Sequence, residues 1–335
     1  MFSTICQFSR PFMVRIPRYL IPLHRELSEA AARWSVTQGR SGRFKHSFFF
    51  KKTTTMVVFP CAKINLGLNI VGCRTDGYHD LETVFYPIPL HDALEVGLMD
   101  EGFPSEVDCD LKITGNAVDC DEDDNLVVRG YKLLAADYGL PRVHAHLYKH
   151  IPSQAGLGGG SSDAAFMLRL LNERFGLGIG DAGMRRYAAR LGADCAFFIT
   201  AEPSFATGIG DVLEPAGGVG DKLKGLYIGI VKPDIAVSTK EAYHNVKVER
   251  PLKSCCDIIR QPIETWRDEL RNDFEESVFR IHPELGRIKR RLYDMGALYA
   301  QMSGSGSAMF GLFDGNPPAL DRQFPNCVTF LMHNV

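Results

Sequence analysis

Alternating strands and helices in two domains are what residues 56–335 predict, and three observations carry that prediction. The chain has 335 residues, enough for about two domains. From Met56 onward its apolar residues switch repeatedly between the period of two that marks a strand and the three-to-four spacing that marks a helix. Between the halves lies a glycine-rich, proline-bearing stretch, L-E-P-A-G-G-V-G-D at residues 213–221, which reads as a hinge. The expected boundaries are residues 56–218 for a first domain and 219–335 for a second.

Taken in order, Met56 opens the apolar run V-V-F-P-C-A-K-I-N-L-G-L-N-I, within which residues 64–71 read as a strand. Residues 81–88 read as its neighbour, joined through a turn at Arg74-Thr75-Asp76-Gly77. An acidic cluster at residues 119–124 precedes a helix at 125–137 and suits a helix start better than a metal site. Residues 142–151 (R-V-H-A-H-L-Y-K-H-I) alternate as a strand does; His144, His146 and His150 lack acidic partners and read as structural. A helix follows with Ala164, Met167, Leu168, Leu171 and Phe175 on one face, and another spans 181–191. The second domain opens with a buried strand at 226–232. It closes with helices near 273–280 and 283–295 and strands near 309–312 and 327–332.

Composition is that of an ordinary globular protein, with 45% apolar and 23% charged residues. A net charge of −2 argues against nucleic acid as the main partner, and no apolar run is long enough to span a membrane. Nine scattered cysteines without C-x-x-C spacing suit reduced thiols in a cytoplasmic protein. Residues 1–55 differ, with ten Lys or Arg against two Glu. This leader is expected to add little to the fold. It reads as sequence upstream of a start at Met56, as a disordered arm, or as an organelle transit peptide, which would place the protein in a plastid. Nothing in the pattern separates a monomer from a homodimer.

The most specific chemistry lies in Q-A-G-L-G-G-G-S-S-D-A-A, residues 154–165. A glycine loop ending at a helix start leaves backbone N–H groups unpaired, unshielded by Cβ atoms and aligned with the positive end of the helix dipole. That is an anion site suited to phosphate, the plain alternative being a flexible turn with a serine N-cap. It is not a Walker loop, because no Lys-Ser/Thr follows the glycines. Nor is it a Rossmann fingerprint, because its helix does not lead to a strand ending in an acidic residue. The H-R-D and D-F-G companions of a protein-kinase loop are absent. Two further residues stand out. Lys63 sits in an otherwise apolar strand, and Asp194 lies in the apolar setting L-G-A-D-C-A-F-F, just past a helix. Either alone has a plain structural reading, as a snorkelling lysine or a capping aspartate.

Together the segments P-C-A-K-I-N-L-G-L-N-I, R-T-D-G-Y-H-D-L-E-T-V-F, A-G-L-G-G-G-S-S-D-A-A, L-G-A-D-C-A-F-F-I and M-S-G-S-G-S-A-M-F-G-L-F resemble the GHMP family of small-molecule kinases, in that family's order. The resemblance implies an α+β fold of two lobes, the first like ribosomal protein S5 domain 2 and the second ferredoxin-like. It implies ATP with Mg²⁺, and it gives Asp194 the place of catalytic base with Lys63 as its partner. Pro152, Ala155, Gly156, Leu157, Gly158, Gly159, Gly160, Ser161 and Ser162 take the place of the ATP-phosphate loop. Ser162 is the candidate metal ligand and Asp163 a weaker one. D-G-Y-H together with A-K-I-N points to the branch acting on a diphosphocytidyl methylerythritol, whose 2-hydroxyl receives the phosphoryl group. There Tyr78 and His79 take the cytidine-recognition place, Asn65 a substrate contact, and Thr239 and Tyr243 the approach from the second lobe. Ser303-Gly304-Ser305-Gly306 is the family's third glycine motif. A homoserine, mevalonate or sugar kinase, and a nucleotide sensor without catalysis, are the competing readings.

Overall fold

The computed structural model describes residues 55–335 apart from Glu101, Asp119 and Asn245, so the expectations for the basic leader lie outside the described residues. Three four-stranded sheets organise the described residues.

The first sheet has the order β1 (Met56–Val58), β4 (Ala93–Leu98), β6 (Val143–Lys149), β5 (Cys109–Gly115). Strands β5 and β6 pair in parallel, with helix α1 (Leu126–Tyr138) in the crossover between them. Helix α1 starts where the Asn125 side chain accepts the Val127 N–H at 2.9 Å, and it stops at Gly139, whose φ is 60°. The alternation of β6 turns Val143, Ala145 and Leu147 inward. Its histidines point outward: His146 bonds Thr114 at 2.8 Å and His144 bonds Asp110 at 2.9 Å. Helices α1 and α2 (Gly159–Arg174) cover this sheet, with Tyr131, Leu134, Met167, Leu168 and Leu171 in one apolar cluster with Leu94 and Val143.

The second sheet is built on a long hairpin, β2 (Cys61–Cys73) and β3 (His79–His91), extended by β7 (Ser204–Thr207) and β8 (Val212–Pro215). The expected turn at residues 74–77 joins the hairpin, and Gly77 there has φ of 86°. The first ten residues of β2 are buried, which is why this strand reads as a continuous apolar run.

The third sheet has the order β10 (Tyr299–Met302), β11 (Met309–Phe313), β9 (Tyr227–Pro233), β12 (Cys327–His333), and all its pairs are antiparallel. In chain order this places the second, third, first and fourth strands side by side, with helices in the two crossovers, which is the ferredoxin-like arrangement. Helices α8 (Phe274–Ile281) and α9 (Pro283–Asp294) pack on it through Phe274, Val278, Leu285, Ile288 and Leu292.

One expectation changes. Residues 213–221 are not an open hinge: they carry the end of β8 and the start of helix α4 (Val219–Leu223). Ala216, Val219 and Leu223 are buried in one apolar cluster with Ile64 and Leu66 of β2 and with Ile228 and Phe310 of the third sheet. Six strands, β1, β4, β5, β7, β8 and β10, were not singled out by periodicity, being short or only partly apolar. Among the described residues no helix is long and apolar enough to cross a membrane.

Candidate active site

Strand β2 brings Lys63 and Asn65 to the mouth of the glycine loop. The Lys63 backbone N–H donates to the Leu157 carbonyl at 2.9 Å, tying the strand directly to the loop. Gly158, at φ of 71°, is the cap of α2, and its neighbour across the fold is Phe198. A Cβ on Gly158 would stand 2.8 Å from the Phe198 ring and 3.2 Å from Lys63 Cγ. The loop therefore lies flat on these two side chains, a closeness only glycine permits.

Phe198 belongs to the 3₁₀ helix Ala193–Ile199, which also carries Asp194. This packing brings the two residues singled out by the sequence together: Lys63 Nζ lies 3.4 Å from Asp194 Oδ2. Their exposure differs in a way that matters. The Lys63 side chain is 4% exposed and the Asp194 side chain 33%, so the carboxylate faces the open side of the pair. Burial pushes the Lys63 ammonium below the ordinary lysine range, against the opposing pull of Asp194. Lys63 Nζ also sits 5.1 Å from the centre of the Phe85 ring, whose face attracts a cation.

Asn65, expected as a substrate contact, is engaged internally. It is 2% exposed; its Oδ1 accepts from Lys63 Nζ at 2.5 Å and its Nδ2 donates to Thr83 Oγ1 at 3.0 Å. Thr83 in turn donates to the Gly67 carbonyl, which fixes which way the Asn65 amide faces. These contacts turn the Asn65 amide toward Lys63 and Thr83. Thr83 was not anticipated: a lone threonine in an apolar strand carries no chemical signal of its own.

The two glycine motifs interlock. Ser303 Oγ donates to the Gly156 carbonyl at 2.9 Å and accepts the Asn65 N–H at 3.3 Å, while the Ala308 N–H donates to the Ala155 carbonyl at 3.1 Å. Asn272 holds the second motif from behind, its Nδ2 donating to the Met302 and Gly304 carbonyls at 2.8 and 2.9 Å. Asn272 had no functional signal either, since N-D-F before a helix reads as a plain cap.

The remaining expected residues divide. His79 stacks on Tyr243, ring centres 4.8 Å apart and planes 25° from parallel. Burial, with a smaller contribution from the Asp194 charge, raises the Tyr243 hydroxyl above its ordinary range. Tyr78 is 63% exposed, a free aromatic face beside His79. Thr239 is exposed at the start of helix α5 (Thr239–Tyr243), one turn from Tyr243. Along the loop Pro152 is half-buried, Ala155 and Leu157 are buried, and Gly160 is exposed at the start of α2. Ser161 is half-buried there, whereas Ser162 Oγ is fully buried and without a hydrogen-bond partner among the described residues.

This arrangement can hold a polyphosphate on the α2 N-terminus, with a carboxylate and an ammonium beside it. Its family follows from comparison. Residues 125–202 match the model of the GHMP kinases N terminal domain, and residues 257–324 that of GHMP kinases C terminal. A protein of Bacteroides fragilis named 4-diphosphocytidyl-2-C-methyl-D-erythritol kinase is 53% identical over 258 residues, 77% of this chain and 92% of its own.

The chain belongs to the GHMP kinase family.

A relative of the same name from Cytophaga hutchinsonii is 44% identical, over 81% of this GHMP kinase and 97% of its own length. A crystal structure of 4-(cytidine 5'-diphospho)-2C-methyl-D-erythritol kinase superposes with a TM-score of 0.68 at 31% identity, covering 82% of this chain and 98% of that one. The mevalonate kinase of Methanococcus jannaschii superposes at 0.58 with 13% identity, a likeness of fold alone.

Proposed function

We propose that this GHMP kinase transfers a phosphoryl group from ATP to the 2-hydroxyl of 4-diphosphocytidyl-2-C-methyl-D-erythritol, a step of isoprenoid biosynthesis by the non-mevalonate route. The observation that carries the mechanism is the Lys63–Asp194 pair, 3.4 Å apart beside the glycine loop. The relatives' shared name, at 44–53% identity over most of their length, supports the substrate.

Phosphoryl transfer asks the protein mainly for positioning and for stabilisation of charge. The loop N–H groups and the α2 dipole hold the phosphates. Asp194, on the open side of the pair, accepts the proton of the attacking hydroxyl. Lys63 orients that carboxylate and lowers the cost of charge on the attacking oxygen, while Asn65 and Thr83 hold Lys63 in place. Tyr78 offers its exposed ring, and His79 its imidazole, to the cytosine base. Tyr243 braces His79 through their stack. Thr239, exposed at the start of the same helix, approaches the substrate from the second lobe.

Mg²⁺, if bound with the nucleotide, would supply positive charge to offset that of the phosphates. The buried, unpartnered Ser162 hydroxyl on the first turns of α2 fits a ligand to it. Asp163 fits less well, because Lys149 holds one of its carboxylate oxygens at 2.7 Å.

An ADP-release assay on the purified chain tests the proposal. Turnover is expected with the diphosphocytidyl substrate and not with mevalonate or homoserine; the reverse pattern would assign the chain to another branch of the family. A pH series tests Lys63. Its lowered pKa places the loss of its proton below the ordinary lysine range, so kcat should fall on the alkaline side before that range is reached. The stability contribution of the same residue runs the other way. Between the folded value and the ordinary one the unfolded chain binds more protons, so that contribution rises with pH. An alkaline limb at or above the ordinary lysine value would remove the Lys63 charge from the mechanism.

A further inference from the structure

Behind the glycine loop lies a second group of charges that the phosphoryl-transfer mechanism does not use. Asp92, Lys149 and Asp163 are 1%, 3% and 2% exposed. Lys149 Nζ donates to Asp163 Oδ2 at 2.7 Å and also to Asp92 Oδ2. The remaining Asp92 oxygen, Oδ1, accepts the backbone N–H groups of His150 and Ile151 at 2.6 and 2.8 Å. Three charged groups drawn from three places in the chain thus meet out of water: the β3–β4 junction, the end of β6 and the body of α2.

Burying ions in this way is no route to stability as such, because well-packed apolar residues of similar volume serve as well or better. Their directional bonds do define geometry, and here the geometry is that of the loop. Asp92 fixes the backbone at residues 150 and 151, where the chain leaves β6 to enter the loop. Asp163 fixes the first turns of α2, where the chain leaves it. Lys149 joins the two. Its Nζ stands 3.3 Å from where a Cβ on Gly159 would be, and Ile151 Cγ2 stands 3.0 Å from that same point. The entry and exit of the loop are therefore packed on each other directly above the ammonium. The two carboxylates engage two of the three N–H donors of Lys149.

We propose that Lys149, gripped between Asp92 and Asp163, is a positioning residue for nucleotide binding: the buried ion cluster clasps the two ends of the glycine loop and presets its N–H groups for a polyphosphate. This rests on the kinase reading above, since it assigns the clasp to that loop. A preset loop binds with less ordering cost, so the clasp acts on affinity for the nucleotide more than on the chemical step. The diphosphocytidyl substrate, whose proposed contacts lie on other elements, should be indifferent to it.

Asp163 is the place to test it, because removing Lys149 would leave two buried carboxylates unneutralised and put folding at risk. Asp163→Ala cuts one arm of the clasp yet leaves the Lys149–Asp92 pair intact. Asp163→Asn keeps the shape and an oxygen to accept from Lys149. The wild-type chain is assayed first for turnover with ATP and the diphosphocytidyl substrate; failure there removes the kinase reading itself, separately from the clasp. Given turnover, Asp163→Ala is expected to raise KM for ATP five- to tenfold. Its kcat at saturating ATP, and KM for the other substrate, should stay within about twofold. Deuterium exchange of peptides covering residues 150–160 should quicken in the nucleotide-free chain. Asp163→Asn is expected to return all of these to within about twofold of wild type. An unchanged KM for ATP with Asp163→Ala would overturn the clasp, as would a parallel loss in both KM values and kcat. So would an Asp163→Asn variant as impaired as the alanine, the result expected if Asp163 instead acted through its charge on a metal ion. An unfolded Asp163→Ala variant with a normal Asp163→Asn variant would place the cluster in folding alone and equally overturn the proposal.

Discussion

Asp194→Asn is expected to lower kcat about a thousandfold while leaving ATP affinity within about threefold of wild type. Asparagine has the same shape and keeps an oxygen facing Lys63 Nζ, 3.4 Å away in the native protein, but it cannot take a proton. A positioned general base contributes on the order of 10²–10⁴ in rate, and a thousandfold loss corresponds to about 4 kcal/mol of barrier. A second effect adds to the first. Lys63 is already pushed toward its neutral form by burial, and Asp194 is the charge that opposes this. Without that charge the ammonium loses its counterweight, so the remaining activity should fall off at lower pH than in the wild type. Steady-state kinetics and calorimetric titration with ATP separate the two quantities. Turnover within tenfold of normal would take Asp194 out of proton transfer.

Gly156→Ala is expected to lower kcat/KM for ATP at least a hundredfold and to cost thermal stability as well. Gly156 has φ of 72°, and a Cβ there would stand 1.9 Å from the Ser303 carbonyl oxygen and 2.9 Å from its carbon. The conformation alone costs an L-residue roughly 1–2 kcal/mol. The overlap is with backbone, so no rotamer change relieves it, and the two glycine motifs must move apart. Moving them breaks the Ser303–Gly156 and Ala308–Ala155 hydrogen bonds that seat the first glycine loop on the β10–β11 connection. Gly217→Ala is the control, since a Cβ there meets nothing within 4 Å and the backbone is not left-handed. Near-normal kinetics for Gly156→Ala would show that the loops need not interlock. Equal damage from Gly217→Ala would show that any added Cβ is harmful.

Comparing the chain with its fold shows which kinds of information are local. The glycine loop could be read as a candidate phosphate site because an anion cradle of that kind resides in the backbone and in the helix it begins, both encoded within a dozen residues. Lys63 was legible because a lysine in the buried run of β2 conflicts with its surroundings, and such conflicts gather at functional sites. The main helices and the long hairpin followed from periodicity, with ends displaced by a few residues. Strands β1, β4, β5, β7, β8 and β10 escaped because three to seven residues hold too few alternations to stand out. The stretch at 213–221 misled for a related reason. Glycine and proline mark turns, but they do not reveal that Ala216 and Val219 between them are buried against two other sheets.

The sequence by itself determined the reaction class: a glycine loop before a helix, a strand lysine, an isolated aspartate and their order along the chain suffice for the resemblance to GHMP kinases. Only the tertiary structure decided how the loop is held and which polar residues face inward. Nothing in local pattern says that Asn65 supports Lys63 through Thr83, that Ser303 reaches Gly156, or that Asp92 and Asp163 meet at Lys149. Each of these contacts joins residues distant in sequence except Lys63 and Asn65, and each depends on sheet register and helix packing. Periodicity reports which face of an element is buried, but not what it is buried against. Partners across the fold are set by packing and hydrogen-bond geometry acting on the whole chain at once.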